Sequence, residues 1–188
     1  RHTRCREVSW ARRCVLETAM TMTMMTVNEE LHVGISEYKI AQAPTRLITV
    51  GLGSCIGTII YDEASHIGGL SHIMLPDSQP FLHKREIKPE KFADLALPAM
   101  VAELEQKIRR PRFQAKIVGG ANMFQFQTLN AASNIGQRNI EAVEEVLARL
   151  NIPIVAKHVG GSAGRTMIVD LQDFKTMVRQ VKQEIVYL

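Results

Sequence analysis

A threonine, a cysteine and a histidine in the first half of the chain have the types and spacing of a cysteine-hydrolase site. Cys55 lies in the glycine-rich stretch 51–57, between two apolar runs. Because glycines allow tight turns and close backbone approach, the sulfur is expected at the mouth of a site rather than in a core. The backbone N–H groups around it, from Gly53 and Ser54 onward, would hold an oxyanion, as a thiol nucleophile requires. The alternative is that Cys55 is simply a small buried hydrophobic residue.

His72 is the histidine expected to act as the base for this cysteine. It lies 17 residues after Cys55, in an apolar run where a polar ring needs a partner. Adjacent strands would bring the two together, and Thr49, six residues before the cysteine, would hold the imidazole in the required tautomer. A hydrogen-bonded core histidine and an ordinary strand threonine are the competing interpretations. His158, before a second glycine-rich turn, is a further residue expected to border the site.

The pattern of apolar residues around these positions predicts a mixed α/β domain. An imperfect strand is predicted over 31–41, and others at 47–50, 56–61, 67–75, 115–118, 154–156, 166–169 and 175–181. Helices are predicted over 92–109 and 134–150, separated by one of these strands. The first helix is expected to bury a stripe through Phe92, Leu95, Ala99, Ala102 and Ile108. The second is expected to bury Ile140, Val143, Leu147 and Leu150.

The basic charge of the chain is concentrated at its beginning. The chain of 188 residues has a formal net charge of +4, but five of its 23 basic and two of its 19 acidic residues lie within 1–24. The remaining 18 basic and 17 acidic residues nearly balance, which argues against a nucleic-acid-binding surface. Residues 1–24 are therefore predicted to be a disordered or non-native leader, and 25–188 a single domain.

Several classes of protein are disfavoured by the motifs that are missing. The glycine-rich stretches match neither the dinucleotide fingerprint nor the P-loop, so no nucleotide cofactor is expected. With Cys5 and Cys14 in the leader, Cys55 is the only cysteine of the predicted domain, which excludes a disulfide framework or a cysteine-based zinc site there. No apolar run is long enough to cross a bilayer, and a cytoplasmic location without membrane insertion is expected.

Five short motifs together resemble the CheD family of chemoreceptor glutamine deamidases. They are Leu52-Gly-Ser-Cys-Ile56, Gly69-Leu-Ser-His-Ile-Met-Leu-Pro76, Gly119-Gly-Ala-Asn-Met-Phe124, Asn134-Ile-Gly-Gln-Arg-Asn139 and Gly160-Gly-Ser-Ala-Gly-Arg165. They occur in the order that the family shows and extend over about residues 30–181. Each motif alone is weak, whereas the five in order are specific.

The resemblance implies a fold, a catalytic set and a substrate. The fold would be a three-layer α/β/β sandwich like that of deamidating bacterial toxins. The catalytic triad of the family would fall on Cys55, His72 and Thr49. The reaction would convert glutamine side chains of methyl-accepting chemotaxis receptors to glutamate, through a cysteine thioester and without metal or cofactor. Three further residues are expected to contact the substrate: Ser71, Asn122 and Phe124.

The resemblance also suggests partners and leaves two alternatives open. The expected partners are the cytoplasmic helices of the receptors and a CheC-type phosphatase. One alternative is a non-enzymatic chemotaxis regulator that binds such a phosphatase. The other is a cysteine hydrolase with a different substrate. That substrate would be a receptor glutamyl methyl ester, which the same acyl chemistry would cleave, or something other than a receptor, such as a soluble protein or a small amide.

Overall fold

A computed structural model of the protein describes residues 29–83, 86–122, 135–180 and 183–188. In these ranges the chain forms ten strands and two α-helices. The strands are β1 (Glu30–His32), β2 (Glu37–Gln42), β3 (Arg46–Leu52), β4 (Ile56–Asp62), β5 (Ile67–Ile73), β6 (Gln114–Gly119), β7 (Ile154–Val159), β8 (Arg165–Asp170), β9 (Thr176–Gln180) and β10 (Val186–Tyr187). The α-helices are α1 (Ala93–Lys107) and α2 (Ile135–Arg149), and two short 3₁₀ turns, Gln79–Phe81 and Pro89–Lys91, precede α1.

The strands form two five-stranded sheets. The order of one, called here the inner sheet, is β2-β5-β4-β6-β7, and that of the other, the outer sheet, is β1-β3-β8-β9-β10. In the inner sheet β4 pairs antiparallel with β5 and β6, and β6 pairs parallel with β7. In the outer sheet β3 pairs parallel with β1 and antiparallel with β8. The start of β4 therefore lies next to the ends of β5, β6 and β7, at one end of the strands of the inner sheet.

Two apolar cores, one on each face of the inner sheet, hold these elements together. Alternate side chains of a strand point to opposite faces, so β4 contributes Ile56 and Ile60 to one core and Ile59 and Tyr61 to the other. The first core is completed by α1 and α2, and the second by the outer sheet. The molecule is thus layered as helices, inner sheet and outer sheet, which confirms the predicted mixed α/β class.

Some element boundaries differ from the sequence prediction. The single strand predicted over 31–41 is two strands, because a turn at 33–36 with Ser36 in the left-handed region separates β1 from β2. Strand β10 was not predicted, since two residues show no periodicity. The remaining strands and both helices lie within a few residues of their predicted positions.

The two helices differ in how well their buried faces were predicted. In α2, Ile140, Val143 and Leu147 are buried as expected. Phe92 and Ile108, which flank α1, are buried as predicted, but within the helix the predicted Ala99 and Ala102 are exposed. The buried helix residues are Ala93, Ala96, Leu97, Met100, Val101 and Leu104. Alanines and other apolar residues occur on several sides of α1, so periodicity alone does not single out one face.

The predicted leader, residues 1–24, lies outside the described residues, and the single domain over 25–188 stays a prediction. In the part of the chain that is described, no helix has the length and apolar character needed to cross a membrane.

Candidate active site

The structure brings Thr49 and His72 together between the two sheets. Thr49 lies on β3 of the outer sheet and His72 on β5 of the inner sheet, and the Thr49 Oγ1 to His72 Nδ1 distance is 2.7 Å. Both side chains are buried, with exposed fractions of 1% and 0%. The sequence analysis expected this partner for His72 from the logic of a catalytic triad, and the structure places the two side chains in contact.

The hydrogen bonds of Thr49 determine which nitrogen of His72 carries the proton. Thr49 Oγ1 also lies 2.9 Å from the carbonyl oxygen of Val33, which can only accept a hydrogen bond. The single hydroxyl proton of Thr49 is therefore donated to Val33, and His72 Nδ1–H must donate to Thr49 Oγ1. Nε2 is then left with its lone pair free, and it has no hydrogen-bond partner among the described residues. This is the tautomer that a general base needs.

Gly57 provides the space in which this contact forms. It lies directly opposite His72 in the pairing of β4 with β5. A Cβ atom at position 57 would lie 2.9 Å from Leu52 Cδ1 and 3.3 Å from Thr49 Cγ2. A side chain there would press against the outer sheet, so glycine allows β3 to approach the histidine closely.

Cys55 lies in the turn between β3 and β4, partly buried against the core between the sheets. The β3–β8 pairing shifts register between Thr49 and Leu52, and Gly51 has a φ of 75°. This irregularity is characteristic of a β-bulge, which bends a strand and redirects the residues that follow it. The thiol makes no described hydrogen bond to His72 Nε2, a common state before substrate binds.

Three successive carbonyl groups of this turn are held by donors from elsewhere in the chain. The amide of Ala121 donates to the Gly53 carbonyl at 2.7 Å and that of Gly120 to the Cys55 carbonyl at 2.9 Å. Between them, Asn139 Nδ2 donates to the Ser54 carbonyl at 2.9 Å. With all three carbonyl groups fixed, the orientations of the intervening peptide planes are fixed too.

The amides of the turn are less occupied than its carbonyls. The Gly53 amide donates to the Gly51 carbonyl at 2.9 Å, so it is not free for a ligand. No described hydrogen bond uses the amide of Ser54, and the Cys55 amide interacts only with the thiol of its own residue. Of the predicted oxyanion donors around Gly53 and Ser54, the geometry therefore retains the Ser54 and Cys55 amides and leaves out that of Gly53.

Gly119 packs against the cysteine turn, and Arg165 in turn binds Gly119. Gly119 has a φ of 122°, and a Cβ atom there would lie 2.2 Å from the Cys55 carbonyl oxygen. Arg165 is 95% buried and donates to the carbonyl groups of Gly119, at 2.8 Å, and Gly160. The Gly119 carbonyl and the Gly120 amide belong to one peptide group, so a chain of hydrogen bonds runs from the guanidinium to the Cys55 carbonyl.

Burial favours the neutral forms of both Cys55 and His72. It lowers the pKa of His72 to about 4, because a charged imidazolium would be poorly solvated between the sheets. It also raises the pKa of the Cys55 thiol, against a smaller opposing effect of the cysteine's own backbone amide. At neutral pH the site therefore holds a neutral thiol and a neutral imidazole, whose single N–H proton is on Nδ1.

The residues predicted to contact substrate are placed differently from one another. Ser71 is fully buried and donates to the Thr58 carbonyl at 3.3 Å, on the face of β5 opposite His72. Its side chain therefore faces away from the Thr49–His72 pair. Asn122 is exposed, and its backbone N–H donates to the Gly161 carbonyl. Phe124 lies outside the described residues.

Two buried polar residues of the site were not singled out from the sequence. Asn139 and Arg165 each end one of the quoted motifs, but their partners are backbone carbonyls 85 and 46 residues away. His158 lies nearby on β7 with Nδ1 unpaired among the described residues, and burial and the Arg165 charge lower its pKa. Among the described residues, no group of three or more His, Cys, Asp or Glu is placed to hold a metal ion.

Comparison with known proteins identifies the family of the chain. Residues 74–180 match the family described as CheD chemotactic sensory transduction. A protein of Desulforamulus reducens named "Probable chemoreceptor glutamine deamidase CheD" is 45% identical over 161 residues, which are 85% of this chain and 96% of that protein. The chain belongs to the CheD family.

Other CheD proteins are similar over the same extent. One from Clostridium botulinum strain Eklund 17B, with the same printed name, is 46% identical over 86% of this chain and 99% of its own length. One from strain Hall is 47% identical over 81% and 94%. In a chain of 188 residues, a matched stretch of 161 necessarily includes positions 49–72. The likeness to CheD relatives thus extends over the turn and the strands that carry the candidate site.

Proposed function

We propose that this protein is a chemoreceptor glutamine deamidase in which Cys55 is the nucleophile, His72 the base and Thr49 the residue that orients the base. The observation that carries the proposal is the buried Thr49–His72 hydrogen bond, which leaves Nε2 without a proton and without a partner among the described residues. The names of the relatives supply the substrate class, a glutamine of a chemoreceptor. The two-sheet architecture is compatible with the proposed likeness to deamidating toxins.

The first half of the reaction forms a thioester. His72 Nε2 accepts the thiol proton as the sulfur of Cys55 attacks the carboxamide carbon of the glutamine side chain. The carbonyl oxygen becomes an oxyanion and receives hydrogen bonds from the amides of Ser54 and Cys55. His72 then returns the proton to the amide nitrogen, the C–N bond breaks, and ammonia leaves. Because both groups are neutral beforehand, proton transfer accompanies the attack instead of preceding it.

The second half consumes water. His72 Nε2 accepts a proton from a water molecule, whose oxygen attacks the thioester carbon. The same amides hold the second oxyanion, and its collapse breaks the C–S bond. The sulfur recovers a proton from His72, and the product is a glutamate side chain. Side chains and water supply every step, so the reaction as written needs no metal or cofactor.

The proposed substrate is the cytoplasmic part of the receptor, so the proposed location is the cytoplasm. Each turnover replaces a neutral amide with a carboxylate and creates a site for methylation, which adjusts the adaptation state of the receptor. Asn122, which is exposed beside the turn, is retained as a proposed substrate contact. A CheC-type phosphatase is retained as a proposed second partner.

The decisive experiment measures the intact mass of a purified receptor cytoplasmic fragment after incubation with the protein. We expect a gain of about one mass unit per modified glutamine, because an NH₂ group is replaced by OH. Cys55→Ala should abolish the gain. The matched control replaces Cys5 and Cys14, which leaves Cys55 as the only cysteine and should keep the activity. A folded wild-type protein that produces no gain on its own receptor would refute the deamidase proposal.

A further inference from the structure

Asn139 is the one polar side chain of α2 that is fully buried in the described structure, and it contacts the catalytic turn. We propose that Asn139 is a positioning residue that fixes the Cys55 amide as an oxyanion donor. The proposal rests on the proposed function, and it assigns to that site a residue on a different element from the triad.

The geometry of one peptide group carries the argument. The Ser54 carbonyl and the Cys55 amide are the two ends of a single planar unit, and in a trans peptide they point in opposite directions. Asn139 Nδ2 holds the carbonyl end at 2.9 Å, so the N–H end is directed away from α2. That N–H makes no described hydrogen bond to another residue, and beside the thiol of its own residue it is placed to receive a developing oxyanion. A hydrogen bond to the carbonyl also polarises the peptide and strengthens its N–H as a donor.

A second hydrogen bond ties the same side chain to the strand of the base. Asn139 Nδ2 also donates to the Met74 carbonyl at 3.0 Å, and Met74 follows β5 immediately after Ile73. The two protons of one NH₂ group therefore connect the nucleophile turn with the strand that carries His72. Only a donor can serve both carbonyl oxygens, which excludes an aliphatic or an ionised acidic side chain at this position.

The start of α2 is held against the same region by a close backbone contact. A Cβ atom at Gly136 would lie 2.6 Å from the Gly120 carbonyl oxygen and 2.9 Å from that of Ala121. Residues 120 and 121 are the ones whose amides hold the Cys55 and Gly53 carbonyls. The helix α2 thus has little freedom to shift relative to the cysteine turn. Asn139, three residues after Gly136 on the same helix, is therefore held at a fixed distance from that turn.

The test compares Asn139→Leu with Val143→Ala on the same helix. Leucine is close to asparagine in shape but donates nothing, while Val143 is fully buried in the helix-side core and has no part in the site. For Asn139→Leu we expect kcat on the receptor fragment to fall about 10²-fold with KM within about threefold, since the lost interaction matters mainly in the transition state. Val143→Ala should keep kcat within about threefold although it leaves a cavity.

Alkylation of Cys55 by iodoacetamide, followed on the Cys55 peptide by mass spectrometry, separates an oxyanion effect from damage to the nucleophile. Displacement at a saturated carbon develops no oxyanion, so Asn139→Leu should react within about threefold of the wild-type rate. An alkylation rate that falls as far as kcat would overturn the proposal, as would a kcat equal to that of Val143→Ala. A wild-type protein that is alkylated but deamidates no receptor fragment would instead refute the proposed function.

Discussion

Replacing Thr49 by valine tests whether the hydroxyl selects the tautomer of His72. Valine keeps the shape of the side chain and removes both hydrogen bonds, to His72 Nδ1 and to the Val33 carbonyl. Since Thr49 is 1% exposed, water does not replace them. The Nδ1–H of the imidazole then has no fixed acceptor, and the ring is free to carry its proton on Nε2, where it blocks the acceptance of the thiol proton.

The expected loss of kcat is modest, because the Thr49 hydroxyl and the His72 imidazole are both uncharged. A hydrogen bond between neutral groups contributes about 0.5–1.5 kcal/mol, and about 1.4 kcal/mol corresponds to a factor of ten. We therefore expect Thr49→Val to lower kcat about tenfold, far less than the roughly 10⁴-fold loss seen when a triad carboxylate is neutralised. Two buried polar atoms lose their partner, so the free energy of unfolding should also fall by about 1–3 kcal/mol.

The assay is the initial rate of receptor deamidation, with urea unfolding measured on the same preparations. Thr49→Ser keeps the hydroxyl and should retain most of the wild-type kcat, which separates the hydrogen bond from the methyl packing. An unchanged kcat in Thr49→Val would show that the tautomer argument is wrong. A loss above about 10³-fold would also refute it, because a neutral hydroxyl cannot supply that much.

Three further changes have defined outcomes. Gly119→Ala should abolish activity and lower the melting temperature, because its Cβ would lie 2.2 Å from the Cys55 carbonyl oxygen at a φ of 122°; wild-type activity in this variant would contradict the described turn. Arg165→Met should destabilise the protein by about 3 kcal/mol and lower kcat, since two carbonyl groups lose a charged donor; Arg165→Lys should recover part of the loss, and full stability in the methionine variant would exclude a supporting role. Because burial lowers the pKa of His72 to about 4 from an ordinary 6.5, the unfolded chain binds a proton in this range that the folded chain does not. Stability should then fall as pH falls from 6.5 to 4, by about 3 kcal/mol in total. Urea unfolding of the wild type and His72→Asn at pH 7.5 and 4.5 checks this, and an equal pH dependence in the two proteins would rule it out.

The sequence carried the part of the site that follows from local patterns. The apolar run 67–75 indicated a strand on which the polar ring of His72 needs a partner, and the position of Cys55 between two apolar runs indicated a turn. Both features depend only on neighbouring residues. The contact of Thr49 with His72 was predicted from the triad logic, and the structure places these two side chains in hydrogen-bond contact.

The remainder depended on contacts with backbone atoms distant in sequence. Asn139 and Arg165 bind carbonyl groups, which every residue possesses, so no pattern of side chains identifies their partners. The burial of Ser71 likewise depended on which face of β5 the helices cover, and the motif that contains it does not distinguish the two faces. The error at Ala99 and Ala102 in α1 has the same origin, because an alanine fits either a buried or an exposed position.

Because the candidate site is divided between two sheets, we expect activity to be lost at a lower temperature than secondary structure. The inner sheet carries His72, the proposed base, and the outer sheet carries the Thr49 hydroxyl that contacts it. The core between the sheets keeps the two in register. A fluctuation that separates the layers by little more than an ångström would break this hydrogen bond while leaving the backbone ladders of both sheets intact. Turnover should therefore decline on heating before far-ultraviolet circular dichroism reports any loss of strands. The catalytic rate would then report on the packing between the two sheets.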